Sequence, residues 1–270
     1  MLKKRFDQHV HSSFSSDGEP GTDVARILEI AIAKGLAGVA VTDHLDPLWP
    51  DEVIPSDIDL PAYEAALLEA ESIYGDRICF IKGVEAGLIK GEANAICREA
   101  VRAFPYDFVI GAIHCSATTP VDFPPFLEGR ALRDIIDEYY QLILDCVREY
   151  KDYDVLGHIN VIDRYTDGFA PEDMYMPYID EILKILVADG KGLEFNTGNF
   201  RFNIGKRGIP TMPVLKRFKE LGGEIVTIGS DSHCADKVGA CLEDGEEMLL
   251  AAGFEYIAVF SNRQPGFVKL

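Results

Sequence analysis

The sequence predicts an α/β protein built as a parallel barrel. Short β-rich runs alternate with amphipathic helical segments along the whole chain. No linker-like Pro/Gly/Ser tract divides it, and every histidine falls at the end of a β-rich run.

The β-rich runs are residues 5–10, 38–42, 78–84, 108–113, 155–157, 193–196 and 225–229. Between them, apolar residues recur at helical spacing. Val24, Ile27, Leu28 and Ala31 follow Thr22 as an N-cap and stop at Gly35; Tyr63, Ala66, Leu67, Ala70 and Ile73 follow Pro61 and stop at Gly75. Ile96, Cys97, Ala100 and Phe104 form a third stripe, Ile135, Ile136, Tyr139, Ile143, Cys146 and Val147 a fourth, and Tyr178, Ile182 and Leu186, ended by Gly190, a fifth. Residues 214–221 supply another. Seven such alternations favour a barrel over an open sheet with a second domain, so residues 1–270 read as one domain. Segments 45–60 and 115–129, rich in Pro and Asp, break the alternation. In a barrel they become long loops on the C-terminal face, where pockets are built.

Composition narrows the function classes. With 45 acidic against 26 basic residues the net charge is −19, which repels a long nucleic acid. A small phosphorylated substrate is compatible, because metal ions reverse the sign locally. No apolar stretch reaches the roughly 18–20 residues of a membrane span, and no apolar region follows the basic start as a secretion signal requires. Six cysteines without a C-x-x-C pair argue against disulfides and cysteine zinc sites, so a cytoplasmic protein is expected. Nothing in the sequence fixes the oligomeric state.

The six histidines lie at His9, His11, His44, His114, His158 and His233, with the acids Asp17, Glu85 and Asp231 at similar positions. Strands of a parallel barrel end on one face, so these residues converge there although they span most of the chain. The pairs His9/His11 and Asp231/His233 alternate, which aims both members the same way. Gly111, Gly157 and Gly229 lie just upstream of His114, His158 and Asp231, where they let backbone crowd around a cluster or simply serve barrel packing. Imidazole and carboxylate together suit zinc, iron or manganese, and nine ligands are too many for one ion, so two or three ions are expected. Such ions activate water, and the chemistry implied is hydrolysis.

The motifs DQHVHSSFSSDG, VTDH, GVE, IGAIH, LGHIN, EFNTG and GSDSH occur in an order that resembles the polymerase and histidinol phosphatase (PHP) superfamily. The likeness runs over residues 7–233, and PYDFVIGAIH, LGHINVIDRY and EFNTGNFR resemble its histidinol-phosphatase branch. The resemblance implies a distorted (β/α)7 TIM-like barrel holding a trinuclear cluster. His9, His11, Glu85 and Asp231 would hold one ion; Glu85, His114 and His158 a second, with Glu85 bridging; Asp17, His44 and His233 a third. Asn160 departs from the aspartate frequent after GHI in the family and is expected outside the ligand set.

Arg164 and Arg201 match positions that look like the family's phosphate-binding arginines, and a guanidinium can grip two phosphate oxygens. From the residues alone, exposed ion pairs are an equal reading. Arg207 is a weaker candidate, and Asn196 or Asn199 is expected to orient Arg201 or the substrate. The expected reaction is hydrolysis of L-histidinol phosphate by a metal-bridged hydroxide, with Glu85, Asp231, His233, Arg164 and Arg201 as the catalytic set. Trp49, Phe123 and Phe126 either wall an imidazole-bearing substrate or seal the loops, and Asp46, Asp51 or Asp122 is positioned to meet an amine. The alternatives are a PHP-type phosphatase acting on nucleoside 3',5'-bisphosphates and a metal-binding protein without catalysis.

Overall fold

The computed structural model describes residues 4–50, 58–166, 170–201 and 208–270, without the side chain of Arg201. Asp51, Arg207 and the Arg201 side chain therefore lie outside the described residues. The strands are β1 (Phe6–Val10), β2 (Gly38–Val41), β3 (His44–Leu45), β4 (Cys79–Gly87), β5 (Phe108–Ala112), β6 (Val155–Leu156), β7 (Gly192–Asn196), β8 (Val226–Gly229), β9 (Tyr256–Ser261) and β10 (Gln264–Lys269). The helices are α1 (Val24–Ala33), α2 (Leu60–Tyr74), α3 (Glu92–Ala103), α4 (Pro124–Leu127), α5 (Leu132–Glu149), α6 (Glu172–Ala188), α7 (Met212–Glu220) and α8 (Leu242–Ala251).

The parallel sheet runs β1-β2-β4-β5-β6-β7-β8. Beyond the end of β8, Asp231 N–H donates to His9 O (2.8 Å) and His11 N–H to Ser232 O (2.8 Å), which joins the last strand to the first. The expected barrel of seven strand–helix units is thus the observed one. Its strands are buried on both faces, as β1 illustrates: all five residues are buried although Asp7, Gln8 and His9 are polar. Polar residues in such a strand need partners. Asp7 accepts from Ser230 N (2.7 Å), Ser230 Oγ (2.6 Å) and Gly239 N (2.6 Å).

Helix α1 presents Val24, Ile27, Leu28 and Ala31 to the core, as its spacing demands. Its cap is Asp23, which accepts from Arg26 N, and not Thr22, whose hydroxyl instead donates to Glu19. The aspartate sits one residue nearer the first turn, where its oxygen reaches the free N–H groups. The irregular segments also carry local order: β3 pairs with β4 in the register His44↔Glu85, and α4 interrupts 115–129. Phe126, on α4, is 2% exposed and joins the core, so it seals the loop and does not face substrate.

After α8 the chain forms the antiparallel hairpin β9–β10. Ala258 and Phe260 pack on Ala40, Ile81, Phe108, Ile110 and Val155, with the Phe108 and Phe260 rings 5.0 Å apart. At the turn, Arg263 Nε pairs with Asp154 Oδ2 (2.5 Å), just before β6. The hairpin therefore plugs the N-terminal end of the barrel. The opposite end, where the strands finish, is left for chemistry.

Candidate metal centre

All nine expected residues meet at the C-terminal ends of the strands, with Glu85 in the middle. Its Oε1 lies 2.9 Å from His158 Nε2 and 3.4 Å from His114 Nε2. Its Oε2 lies 2.9 Å from His44 Nδ1, 3.3 Å from His9 Nε2 and 3.6 Å from His11 Nε2. Asp231 follows β8 in a left-handed conformation (φ 52°), one that Asp tolerates better than most residues. Its Oδ1 sits 3.5 Å from His11 Nε2, 3.8 Å from His9 Nε2 and 3.7 Å from His233 Nδ1. Asp17 reaches His233 Nε2 (3.1 Å) and His44 Nε2 (3.8 Å).

Among the described residues, donor atoms gather closely enough to share an ion in four sets: His9, His11 and Asp231; Glu85, His114 and His158; His11, His44 and His233; and His44, Asp46 and His114. The first holds three of the four residues expected for one ion, with the fourth, Glu85, 3.3 Å from His9 Nε2 and 3.6 Å from His11 Nε2, and the second is the set expected for another. The third brings His11 in beside His44 and His233, with Asp17 at their edge. The fourth set adds Asp46, one of three carboxylates offered for an amine contact, to the histidine cluster. Asp46 is buried, with Oδ1 2.8 Å from His114 Nδ1 and Oδ2 3.4 Å from His44 Nδ1, so it is engaged by histidines.

The cluster fits divalent ions better than it fits itself. His9 Nε2 and His11 Nε2 face each other at 3.0 Å, an approach for which at most one ring can donate. The short contact between His44 Nδ1 and Glu85 Oε2 is not aligned as a hydrogen bond, and both atoms remain buried without a partner. Electrostatics agree. Burial would raise the Glu85 and Asp231 carboxyls, yet the surrounding imidazoles hold both well below the usual range; Arg164 adds to this at Asp231. Burial likewise opposes charge on His9 and His114, but neighbouring carboxylates push both well above the ordinary value, and His44 is raised to about 9. His11 moves the other way: burial, then the charges of His233 and His44, hold it well below. Negative oxygens and crowded imidazoles are what a cation would reconcile.

A second layer orients the rings. Ser15 Oγ donates to Asp43 Oδ1 (2.6 Å), which leaves the hydroxyl oxygen to accept from His11 Nδ1 at 3.1 Å. Asp43 also takes Ser12 N (2.8 Å), Ser12 Oγ (2.7 Å) and Ser15 N (3.0 Å), pinning the loop after β1. With Nδ1 so engaged, Nε2 presents its lone pair to the cluster. Glu194 on β7 does the same for His9, with Oε1 2.5 Å from Nδ1. Sequence reasoning gave Glu194 no role, although a glutamate inside a wholly buried strand is itself a signal.

Arg164 lies on the 3-10 turn Val161–Arg164 after β6, and its side chain is only 7% exposed, which excludes a surface ion pair. Nε donates to Asn199 Oδ1 (3.2 Å), Nη2 to Asn196 Oδ1 (3.1 Å) and Nη1 to Asp231 Oδ2 (3.4 Å). Asn196 and Asn199 thus orient Arg164; the contact with Arg201 that was expected of one of them falls on a side chain outside the described residues. Asn160 sits apart from the ligands, donating to Tyr140 Oη (2.6 Å) and accepting from Thr211 N (3.2 Å). Gly229 does crowd the cluster, because a Cβ there would stand 2.3 Å from His9 Cβ; Gly111 serves packing, against the Tyr153 ring.

Arginine and cluster border one cavity of about 260 Å³, whose far side carries Trp49, Val121, Asp122, Phe123 and Tyr165. A parallel barrel with an imidazole–carboxylate cluster and a buried arginine at its C-terminal face defines a metal-dependent hydrolase. The PHP domain profile matches residues 7–198, and the chain belongs to this family. It is 31% identical to the histidinol-phosphatase of Lactococcus lactis over 268 residues, covering 96% of this chain and 95% of that one. A probable histidinol-phosphatase of Clostridium acetobutylicum is 30% identical over 90% of this chain and 92% of its own. The crystal structure of the Lactococcus lactis histidinol phosphate phosphatase with zinc, L-histidinol and phosphate superposes with a TM-score of 0.86 at 27% identity, covering 97% of this chain and 99% of that one.

Proposed function

We propose that the chain is a phosphomonoesterase that hydrolyses L-histidinol phosphate to L-histidinol and phosphate, with residues 1–270 acting as one PHP-type barrel. The observation that carries this reading is the buried, asparagine-clamped Arg164 facing the same cavity as the histidine–carboxylate cluster. The fold is shared almost end to end with a protein that holds zinc, histidinol and phosphate together.

His9, His11, Glu85 and Asp231 would hold one ion, Glu85, His114 and His158 a second, and Asp17, His44 and His233 a third, the ions being zinc, iron or manganese. Such ions supply an activated water nucleophile and neutralise phosphoryl charge. Arg164, with Arg201 as a second clamp, grips the non-bridging phosphate oxygens, and its two asparagine partners fix the plane of the fork before substrate arrives. The leaving alkoxide needs a proton or a counter-charge; Asp231 and His233 border the cavity and are the groups for that step. On the leaving-group side, Trp49 and Phe123 offer apolar surface to an imidazole. Asp122 makes no ion pair among the described residues and lines the cavity, so it is the described carboxylate assigned to the amine of L-histidinol, Asp51 lying outside the described residues. The free cysteines and a biosynthetic substrate support a cytoplasmic location for the enzyme.

The test is phosphate release from L-histidinol phosphate beside nucleotides and sugar phosphates, on protein of measured metal content. The reading expects the highest kcat/KM on L-histidinol phosphate; a higher value on a nucleoside 3',5'-bisphosphate overturns the substrate assignment.

A further inference from the structure

Glu194 is 1% exposed and, among the described residues, pairs with no lysine or arginine. A buried carboxylate without such a partner is costly unless hydrogen bonds surround it. Here they come from three directions. Oε1 lies 2.5 Å from His9 Nδ1, while Oε2 accepts His158 N–H at 3.0 Å and Asn196 Nδ2–H at 3.3 Å. His9 belongs to β1 and His158 follows β6, so one side chain of β7 connects two separate strand ends of the ring. Asn196 extends the connection, because its Oδ1 accepts from Arg164 Nη2 at 3.1 Å.

The flanking strands make room for this carboxylate. A Cβ at Gly229 would stand 3.0 Å from Glu194 Oε1, and one at Gly157 would stand 3.4 Å from Oε2. Both glycines lie upstream of expected ligands, and the space they leave holds Glu194. Its chemistry also has a direction. A carboxylate oxygen can only accept, so His9 must carry its proton on Nδ1, which turns the Nε2 lone pair towards Glu85 and His11.

We infer that Glu194 is a positioning residue: it fixes the ring of His9 in the metal-binding tautomer, sets the spacing of His9 from His158, and links both to Arg164 through Asn196. The inference rests on the metal-holding part of the proposed function and not on the identity of the substrate. Glutamine is nearly isosteric but cannot replace both oxygens. If its carbonyl faces His9 Nδ1, its amide meets the His158 N–H donor; if it turns over, its amide meets His9 and demands the other tautomer.

The test is zinc affinity by chelator competition, with bound zinc counted after gel filtration and folding followed by circular dichroism. For E194Q the expectation is a native spectrum with zinc bound about 10–100-fold more weakly, the usual cost of losing an orienting partner. Zinc affinity within twofold of the wild type, in a folded variant, overturns the inference. Should E194Q fail to fold, E194D carries the test: it keeps the charge but is one methylene too short to serve both histidines, so weakened zinc binding supports the role and wild-type affinity overturns it. Weak zinc binding by either variant, in a protein whose wild type does not cleave L-histidinol phosphate, would leave Glu194 in place and remove only the substrate.

Discussion

Arg164 and Asp231 meet at 3.4 Å, Nη1 to Oδ2, while the other oxygen of Asp231 lies 3.5 Å from His11 Nε2. One carboxylate therefore connects the proposed phosphate clamp to the proposed metal centre. The geometry predicts that Arg164→Ala lowers kcat/KM for L-histidinol phosphate by about 10²–10³, the range for a preorganised donor to developing charge. Arg164→Lys should rescue little, because an ammonium cannot occupy both asparagine carbonyls and still present a fork to phosphate. Steady-state kinetics on both variants would decide it, and near-wild-type turnover by the lysine variant would remove Arg164 from phosphate binding.

Metal removal should affect stability as well as turnover. Five imidazoles approach the Glu85 carboxylate within 3.6 Å, an arrangement whose like charges and orphaned atoms an ion relieves. Dialysis against a strong chelator should abolish phosphate release and lower Tm, and zinc, manganese or iron should restore both. An ion present at about 100 times its Kd contributes about 2.7 kcal/mol. Glu85→Ala should stay inactive even with excess metal, because the group shared by two proposed ion positions is gone. Unchanged Tm on chelation would show that the cluster holds no ion that matters for folding.

Asp122 tests the leaving-group side separately from the chemistry. Asp122→Asn should lower kcat/KM for L-histidinol phosphate at least tenfold more than for p-nitrophenyl phosphate, which has no amine. The effect should appear mainly in KM, since a contact made equally in ground and transition states changes binding and not the chemical step. Equal losses on both substrates would mean that Asp122 supports the cavity wall and does not read the amine.

The barrel and its ligands were legible because strand ends in a parallel barrel must share a face, so His9, Glu85 and Asp231 could be brought together from chain order alone. The supporting layer was harder to read. Glu194 and Asn196 alternate on β7 as His9 and His11 do at the end of β1, and that signal was available. The contact of Asp46 with His114 was not legible, because it is set by the pairing of β3 with β4 and of β4 with β5, which no local pattern encodes. Phe126 was ambiguous for a related reason: a four-residue helix inside a proline-rich loop has too few turns to display a period. The hairpin β9–β10 leaves no trace in the strand–helix alternation because it fills the barrel floor and not its wall.

Gly229 offers a steric test of how tightly the cluster is built. A Cβ there would lie 2.3 Å from His9 Cβ and 2.8 Å from His9 N, and neither atom can move without shifting β1. Gly229→Ala is therefore expected to cut zinc content and activity together. Gly253→Ala, at φ +95° with nothing near its added methyl, should cost about 1–2 kcal/mol of stability and keep its zinc. Full zinc loading of Gly229→Ala would show that β1 and β8 separate without disturbing His9.

The last prediction concerns pH and the far end of the barrel. Asp154 accepts from Val109 N (2.8 Å) and pairs with Arg263, yet burial still raises its carboxyl above the ordinary value of 3.8. A raised folded-state pKa means that the native protein binds more protons than the unfolded chain between the two values. The Asp154 contribution is then greatest below 3.8 and declines as pH rises through the raised value. Asp154→Asn removes that titration. The stability difference, wild type minus variant, should therefore shrink as pH is raised from the ordinary aspartate value towards neutrality, measured by urea unfolding of the metal-loaded proteins. A difference that grows over this range would mean that the Arg263 pair outweighs burial and that the Asp154 carboxyl is lowered in the fold.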